Sequence, residues 1–524
     1  MSRYGKAFLE DLNRRYPDAA AAVNDFVNRV GPWAWADPDH LSNPVLSRNP
    51  YTSRLLERLL KNEDPGPPWP AWKTARAILV HYAKSFAGYT RYALWHLLFR
   101  LSAGSRKRVR PPVSSGATIM VDTFVLVEQV LAEGTWRPSY FEGLFSVLDR
   151  AGRDYVVLPT VIGWHRWREA PRFFRLLYGS GLPVLCEFEL LGPADHLRLV
   201  AFILRYPFKV LSLVRRLGGE KIDRLAAEEC LRTLEQPVFD SHARYLLGRK
   251  IPRPSAGGLQ LISWFENQVI DKNLYRGVRA GGGDARIHGC RPFVFSFTQL
   301  NFYSIRAEAA AGLLPDVLLP YGPHYLGWAE SDLPLEHRRC PSFRYRRLFE
   351  PAHPPLSETR PLVILPYFEQ ETRDIIFLCQ ASKLSRHPLV MKPHPSHTEQ
   401  AVRRYTASAP AGWSLRREPL HELFPGTYLV VSSESGACVE AAVLGLSVIV
   451  IANQVSFTSN PLPPEGRGLI WELAYDAADL DRAADTLLAA RADRAGEIQI
   501  LARSYRDNFF TEPTEENIRR AFDL

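Results

Sequence analysis

An alternation of short β-rich runs and helical segments, which begins near residue 116, constrains the fold of this chain more than any other feature. The runs "ATIMVDTFVLV", "RDYVVLPTVI" and "GLPVLCEFELL" are predicted strands, and "SYFEGLFSVLDRAG" between the first two is a predicted helix. Two further strand-and-turn units follow in "ARIHGCRPFVFSFTQ" and "LLPDVLLPYG". Strands that alternate with helices form βαβ units around a mostly parallel sheet.

A second series of the same kind begins near residue 361. Its predicted strands are "PLVILPYF", "HPLVMKPHP", "YLVVSSES" and "LSVIVIAN", and its predicted helices are "QETRDIIFLCQASKL" and "GACVEAAVLG". Each series has the length of a domain, so the α/β pattern predicts a pair of facing Rossmann-like domains with a cleft between them.

The whole chain of 524 residues is too long for one ordinary core. Residues 1–115 contain predicted helices separated by proline-rich breaks, so a helical N-terminal extension is predicted there. The first α/β domain is predicted at 116–345 and the second at 346–524, where a helical tail with a proline break ends the chain.

The charge balance is basic, with 65 Lys and Arg against 56 Asp and Glu, which suits anionic ligands or an anionic membrane surface. No nucleic-acid-binding motif accompanies it, so no nucleic acid partner is expected. Two basic and apolar segments, 74–101 and 196–219, predict a peripheral contact with an anionic inner membrane; the alternative is that they pack on the rest of the protein. The first of them runs into the basic linker "SAGSRKRVRPPVSSG".

The six cysteines are widely scattered and none forms a Cys-x-x-Cys pair. This spacing argues against a disulfide framework or a zinc site and favours a reducing, cytoplasmic location. The first twenty residues lack the apolar core of a signal peptide, and no apolar run reaches the length of about 18 residues that a membrane-spanning helix needs.

The stretch "MKPHPSHTEQ" places Lys392, His394 and Pro395 directly after a predicted buried strand. The prolines stop the strand and stiffen the turn. Lys392 and His394 are therefore presented at the carboxyl end of a strand, where open α/β sheets bind ligands. The alternative is a proline-rich turn with solvated basic residues.

A second turn, Ser432-Ser433-Glu434-Ser435-Gly436, lies between a predicted strand and a predicted helix. Small hydroxyl residues and a glycine at the amino end of a helix leave N–H groups free for a phosphate. Capping the helix would require only one of these residues. Both turns follow strands of one parallel sheet, so they are expected beside each other at one edge as a phosphate clamp that includes Lys392, His394 and the serine turn.

The motifs "KPHP" and "SSESGACVEAAVLG" resemble the HP and Ser-Ser motifs of bacterial sialyltransferases and of the Kdo transferases of capsule and lipopolysaccharide synthesis. Those are GT-B enzymes that use CMP-activated nonulosonic acids. The resemblance covers roughly 260–455, where further stretches are similar to bacterial surface-carbohydrate biosynthesis proteins. It implies that His394, Ser432 and Ser433 hold the nucleotide phosphate. It also implies that Glu422, or else Glu440, holds the ribose.

The resemblance implies a GT-B glycosyltransferase that moves a Kdo- or sialic-like sugar from its CMP donor to a bacterial surface glycan or glycolipid. It implies no cofactor other than this donor and no metal. It further implies that the C-terminal tail crosses back to the first domain. The alternatives are a transferase with another activated donor, such as CDP-glycerol or a UDP-sugar, or a non-catalytic GT-B-like scaffold.

The catalytic carboxylate is the part of the site that the motifs leave open. An inverting transferase needs a general base and a retaining one needs a nucleophile. The sialyltransferase acidic-acidic-Gly motif has no convincing copy, and Glu369 and Glu371 stand where a retaining Kdo transferase carries an aspartate. The candidates are Glu266, Glu369, Glu371 and Asp122, with Glu187 and Glu189 as further strand-end carboxylates.

Two alternatives accompany these candidates. Glu266 follows two aromatic residues, but it is also spaced to form a helix-face ion pair with Lys272 or Arg276. Arg344, Arg346 and Arg347, near the predicted linker, can contact the donor carboxylate or the acceptor phosphate, or form a solvated basic face.

Overall fold

The computed structural model describes residues 5–103, 119–163, 166–252, 258–330, 332–350, 360–407 and 409–524. The N-terminal extension forms three α-helices, which are α1 (Lys6–Ala34), α2 (Leu55–Leu60) and α3 (Ala71–Ala103). The predicted basic linker after α3 lies almost entirely outside the described residues.

The first sheet has six parallel strands in the order β2-β1-β3-β4-β5-β6. These strands are β1 (Ile119–Leu126), β2 (Tyr155–Ile162), β3 (Leu259–Trp264), β4 (Ala285–Arg291), β5 (Val317–Pro320) and β6 (Glu336–His337). The direction of strand progression reverses between β1 and β3, so a topological switch point lies there.

The second sheet also has six parallel strands, in the order β12-β11-β10-β7-β8-β9. These strands are β7 (Arg360–Ile364), β8 (Leu389–Lys392), β9 (Trp413–Leu415), β10 (Thr427–Ser432), β11 (Ser447–Ile451) and β12 (Trp471–Ala474). Its switch point lies between β7 and β10. The prediction of two Rossmann-like parallel sheets is confirmed.

Helices flank both sheets. Those of the first are α4 (Val127–Glu133), α5 (Leu144–Arg150), α6 (Ala170–Tyr178), α7 (Glu187–Leu190), α8 (Pro193–Arg216), α9 (Lys221–Thr233), α10 (Phe239–Lys250), α11 (Val269–Ala280) and α12 (Arg306–Ala310). Those of the second are α13 (Glu369–Ala381), α14 (Glu399–Thr406), α15 (Leu420–Leu423), α16 (Gly436–Val443) and α17 (Ala477–Asp493), followed by the tail helices α18 (Ala495–Phe509) and α19 (Glu515–Phe522).

The third run of the first series, "GLPVLCEFELL", is not a strand, so that prediction was wrong. Val184 forms only an isolated bridge with Val157, and the following residues form the short helix α7. Its first turn is stabilised because the Glu189 carboxylate accepts a hydrogen bond of 3.1 Å from the Cys186 backbone N–H. The capping hydrogen bond between Cys186 and Glu189 therefore determines the local structure more strongly than the β propensity of this run does.

One continuous apolar core joins the N-terminal helices to one face of each sheet. Val27 of α1, Ile262 of β3 and Val430 of β10 all belong to it, and each is completely buried or nearly so. Separate apolar clusters cover the opposite face of each sheet. The N-terminal helices and the two sheets are therefore packed around one shared core.

The C-terminal tail returns to the first sheet. The Thr511 backbone N–H donates to the Ser342 hydroxyl (3.0 Å), and the Gln260 side chain of β3 donates to the Phe522 carbonyl (2.7 Å). All six cysteines are buried and unpaired. Among the described helices, none combines the length and apolar character needed to cross a membrane.

Candidate functional site

The two predicted turns lie at the same edge of the second sheet. Lys392 of β8 is in register with Ile364 of β7, and the Ser432 hydroxyl of β10 donates to the Ile364 carbonyl (2.9 Å). Strand β7 therefore lies between the two turns, which corrects the expectation that they are adjacent. Two strand spacings separate their strands by about 10 Å.

The hydroxyl groups of the serine turn are engaged within the protein. Ser432 is fully buried and donates to β7, and Ser433 donates to the Glu371 carboxylate (3.1 Å). The Ser435 hydroxyl caps α16 by accepting from the Ala437 N–H (3.2 Å). The turn therefore stabilises the sheet edge and the amino end of the helix.

Close packing also surrounds the first residue of α16. A Cβ atom added at Gly436 would lie 3.2 Å from the Val294 side chain, which belongs to the loop after β4 of the first sheet. The amino end of α16 is therefore in direct contact with the first α/β unit, and the glycine permits this close approach.

Two carboxylates lie beside the serine turn. Glu371 accepts from Ser433 and from the Asn453 side chain (3.1 Å each). Glu434 accepts from the Tyr51 hydroxyl (2.6 Å) and the Gln299 side chain (2.8 Å), which come from the N-terminal extension and the first α/β unit. Burial, and then the charge of Glu434, raises the pKa of Glu371 to about 7. The negative charge of Glu434 therefore disfavours ionisation of the neighbouring Glu371 carboxyl group.

His394 is a neutral hydrogen-bond donor. Burial lowers its pKa to about 4, and the nearby His397 and Lys392 act in the same direction. Its Nδ1 accepts the Ser396 backbone N–H (3.2 Å), which leaves the proton on Nε2. Its ring packs edge-on against Tyr367, with ring centres 5.4 Å apart. Pro395, next in the chain, is exposed.

A strongly basic cavity of about 830 Å³ is lined by Lys392 of the first turn but by no residue of the serine turn; other parts of its wall are the end of α16 and the residues that precede β10 and β11. Lys392 contributes from the end of β8, and Glu440 contributes from α16. The other charged lining residues are Arg344, Arg347, Glu350, Arg491, Arg503 and Arg506. The wall therefore carries six permanent or near-permanent cations and two carboxylates, which is the electrostatic environment that an anionic ligand of nucleotide size needs.

Of the two predicted ribose ligands, only Glu440 lines this cavity. Burial raises its pKa to about 7, and the neighbouring Arg344 opposes the shift. Glu422 lies in the first turn of α15 with its side chain exposed and contacts His421 at 3.5 Å. The geometry therefore favours Glu440, the alternative in the sequence-based prediction, over Glu422.

Glu266 lies at the end of β3, next to the switch point of the first sheet. Its carboxylate accepts from the Trp264 indole (2.8 Å) and from the Gln268 side chain, and burial raises its pKa. The predicted alternative of an ion pair was wrong, because Lys272 pairs with Glu308 (2.7 Å) and Arg276 donates to a backbone carbonyl.

Aromatic contacts connect Glu266 to the basic cavity. The Trp264 ring packs edge-on against Tyr140, with ring centres 4.4 Å apart, and the Arg344 guanidinium lies 5.1 Å from the Tyr140 ring centre. Arg344 lines the cavity. The Glu266 carboxyl group at the end of β3 and the cation Arg344 of the cavity wall are therefore connected through two aromatic rings.

The remaining candidate carboxylates have other partners. Asp122 is buried in β1, where it pairs with Arg244 (2.8 Å) and accepts from Thr160 and Ser263 (2.9 and 2.8 Å). Glu369 is exposed and pairs with Arg373 (3.1 Å) and with another arginine on α14. These contacts give Asp122 a structural role and make Glu369 a surface ion-pair residue.

Two further carboxylates are also engaged. Glu187 accepts from the Tyr92 hydroxyl (3.2 Å), and Glu189 caps α7 as described above. Arg346 lies against Gly143: a Cβ atom added there would meet its guanidinium at 2.7 Å. None of these three is among the residues that line the basic cavity.

No protein-family model and no curated protein sequence matches the chain. Solved structures of remote similarity include a glycosyltransferase from Rickettsia africae, which is 10% identical over 78% of this chain and 98% of that chain, with a TM-score of 0.45. The UDP-GlcNAc 2-epimerase of Methanocaldococcus jannaschii, in complex with UDP-GlcNAc and UDP, is 10% identical over 77% and 98%, with a TM-score of 0.41. The wall teichoic acid polymerase TagF with CDPG is 10% identical over 87% and 97%, with a TM-score of 0.37. These values assign no activity to the chain.

Proposed function

We propose that the protein is a GT-B glycosyltransferase whose nucleotide-activated donor binds in the basic cavity. The observation that carries this proposal is the convergence of Lys392, Glu440 and five arginines on one cavity beside the second sheet. Lys392 and the arginines hold the donor phosphate, and Glu440 accepts hydrogen bonds from the ribose hydroxyls. Residues 116–345 then form the acceptor domain and residues 346–524 the donor domain.

The proposed chemistry is transfer of the sugar to an acceptor hydroxyl. Glu266 takes the proton from that hydroxyl, the new carbon–oxygen bond forms at the anomeric carbon, and the bond from that carbon to the phosphate oxygen breaks. The departing nucleotide carries the added negative charge, which the fixed cations of the cavity stabilise. Glu371, which accepts from Ser433 and Asn453, is the alternative base.

The donor that we propose is a CMP-activated nonulosonic acid of the Kdo or sialic type. Support for it comes from the "KPHP" and "SSESG" motifs alone. A CDP-glycerol or UDP-sugar donor uses the same phosphate-binding cations and is the alternative. The proposed acceptor is a bacterial surface glycan or glycolipid assembled at the cytoplasmic face of the membrane, and the reaction requires no metal.

Thermal unfolding in the presence of CMP, CDP and UDP tests this proposal and separates the donors. Selective stabilisation is expected from CMP, by about 2.7 kcal/mol at a ligand concentration of 100 times Kd. Stabilisation by CDP or UDP instead selects the alternative donor. If none of the three raises the melting temperature, the protein is a scaffold rather than a transferase.

A matched pair of variants locates the binding site. Lys392→Ala is expected to abolish most of the shift in melting temperature caused by the nucleotide. Lys383→Ala removes an exposed lysine of the same unit, which pairs with Asp485 at the surface, and is expected to keep the shift. Repeating the assay in EDTA tests metal independence.

A further inference from the structure

Helices α3 and α8 lie side by side and run antiparallel on the surface of the protein. The Tyr82 hydroxyl of α3 donates to the Leu204 carbonyl of α8 (3.0 Å), and further along the pair His96 Nδ1 lies 2.6 Å from His196 Nε2. As the residue number rises on α3 it falls on α8, which fixes the antiparallel arrangement. Buried residues of α3, such as Trp95, pack inward against the core.

The outward side of α3 carries large apolar side chains at helical spacing. Trp72 and Leu79 are each 68% exposed, Leu97 is 55% exposed and Leu101 is 74% exposed. Successive exposed residues of this set are 7, 18 and 4 positions apart in the sequence, and these spacings correspond to about two, five and one helical turns. They therefore lie along one line of the helix, about 43 Å in length.

Helix α8 carries a matching row. Leu197 is 72% exposed, Leu204 is 48% exposed and Phe208 is 62% exposed, and they are 7 and 4 residues apart. Two parallel rows of large apolar side chains on neighbouring helices amount to far more than the isolated exposed leucines that are normal on a soluble surface.

The charges beside these rows are almost entirely positive. Helix α3 contains five Lys and Arg in 33 residues and neither Asp nor Glu; the cations are Lys73, Arg76, Lys84, Arg91 and Arg100. The acidic residue of α8, Asp195, is buried and pairs with Lys250 (2.5 Å) and Arg198 (2.9 Å). Two cations of α8, Arg205 and Lys209, are neutralised by Asp39 and Asp37. The excess positive charge therefore lies along α3 and at the end of α8, where Arg215 and Arg216 follow.

We propose that these two rows, with the cations of α3, form a surface that docks on an anionic lipid bilayer. Apolar side chains enter the boundary between headgroups and acyl chains, and Lys and Arg contact the anionic headgroups. A second copy of the chain is a poorer occupant, because a symmetric dimer through this face would bring the like-charged α3 helices together. This proposal goes beyond the nucleotide site and does not depend on it.

Co-sedimentation of the full-length protein with vesicles tests the proposal. Vesicles of phosphatidylcholine with 30% phosphatidylglycerol are compared with vesicles of phosphatidylcholine alone, at low and at high salt. The test variant combines Leu79→Gln, Leu97→Gln, Leu204→Gln and Phe208→Gln, which alter only exposed side chains. The control variant combines Phe377→Gln and Ile500→Gln, which are 50% and 65% exposed in the second α/β unit.

We expect the wild-type protein and the control variant to sediment with the anionic vesicles, less at high salt, and not with the neutral ones. The partition coefficient of the test variant is expected to be at least about tenfold lower than that of the wild type. A tenfold decrease corresponds to the free energy of withdrawing one leucine-sized side chain from an apolar environment.

The proposal is overturned if the wild type does not bind the anionic vesicles, binds the neutral ones equally, or binds as weakly as the test variant. It is also overturned if sedimentation velocity shows a wild-type dimer that the test variant abolishes, because the rows are then an interface between copies. Circular dichroism and the melting temperature, measured on the same variants, verify that each is folded.

Discussion

Glu266→Gln is expected to lower the turnover of the nucleotide-sugar donor by about 10²- to 10⁴-fold, the usual contribution of a positioned general base. The amide keeps the shape of the side chain and, through its one oxygen, one of the two hydrogen bonds donated by Trp264 and Gln268, but it cannot accept the proton. Nucleotide affinity and melting temperature should remain nearly unchanged, because Glu266 does not line the basic cavity. Turnover is measured as release of the free nucleotide.

The pH profile gives this prediction a second readout. Because burial raises the pKa of Glu266 above its usual value of 4.5, the wild-type rate should fall with decreasing pH already above pH 4.5, and this limb should vanish in the variant. Glu369→Gln, at an exposed carboxylate, is the matched control and should leave turnover intact. Full turnover in Glu266→Gln together with its loss in Glu371→Gln would transfer the role of base to Glu371.

Glu308→Gln is expected to cost about 3–5 kcal/mol of unfolding free energy, the range for breaking a buried ion pair from one side. Glu308 is completely buried and lies 2.7 Å from Lys272 and 2.8 Å from Arg48 of the N-terminal extension. Arg291, also buried, is near enough for the charge of Glu308 to act on its pKa. The variant would leave three buried cations without their carboxylate. Denaturant-induced unfolding measures the loss.

The pH dependence of this loss follows from the pKa of Glu308. The two cations hold it at about 2, below the usual 4.5, so the carboxylate stabilises the fold above pH 4.5. That contribution is lost as the pH falls from 4.5 towards 2. The difference between wild type and variant should therefore shrink over this interval. Glu399→Gln, at an exposed pair with Arg403, should leave the unfolding midpoint unchanged; an equally small effect at Glu308 would contradict the structural role.

Four of the six strands of the second sheet, β7, β8, β10 and β11, could be predicted because local sequence determines them, whereas the short edge strands β9 and β12 were not predicted. Strand β10 and its neighbours are continuous apolar runs, as expected for parallel strands buried on both faces. Pro393 directly follows the end of β8 at Lys392, and Gly436 is the first residue of α16. The run "GLPVLCEFELL" was wrongly predicted as a strand because Glu189, which caps a helix, lies within an otherwise apolar pattern.

The basic cavity could not be predicted from local patterns. Its cations come from the segment 343–349, the end of β8 and the helices α17 and α18, which lie up to about 160 positions apart in the sequence. The contact of Tyr51 with Glu434 spans 383 positions. Only the folded chain brings such residues together, so the predicted phosphate clamp of Lys392, His394 and the serine turn did not include the cavity residues Arg491, Arg503 and Arg506.

A crystal structure of the protein with the nucleotide that stabilises it most tests the central proposal directly. A phosphate oxygen is predicted within hydrogen-bond distance of Lys392 Nζ, with the ribose hydroxyls on the Glu440 carboxylate. A nucleotide bound elsewhere, or a basic cavity that stays without nucleotide at saturating concentration, would contradict the assignment of this cavity as the donor site.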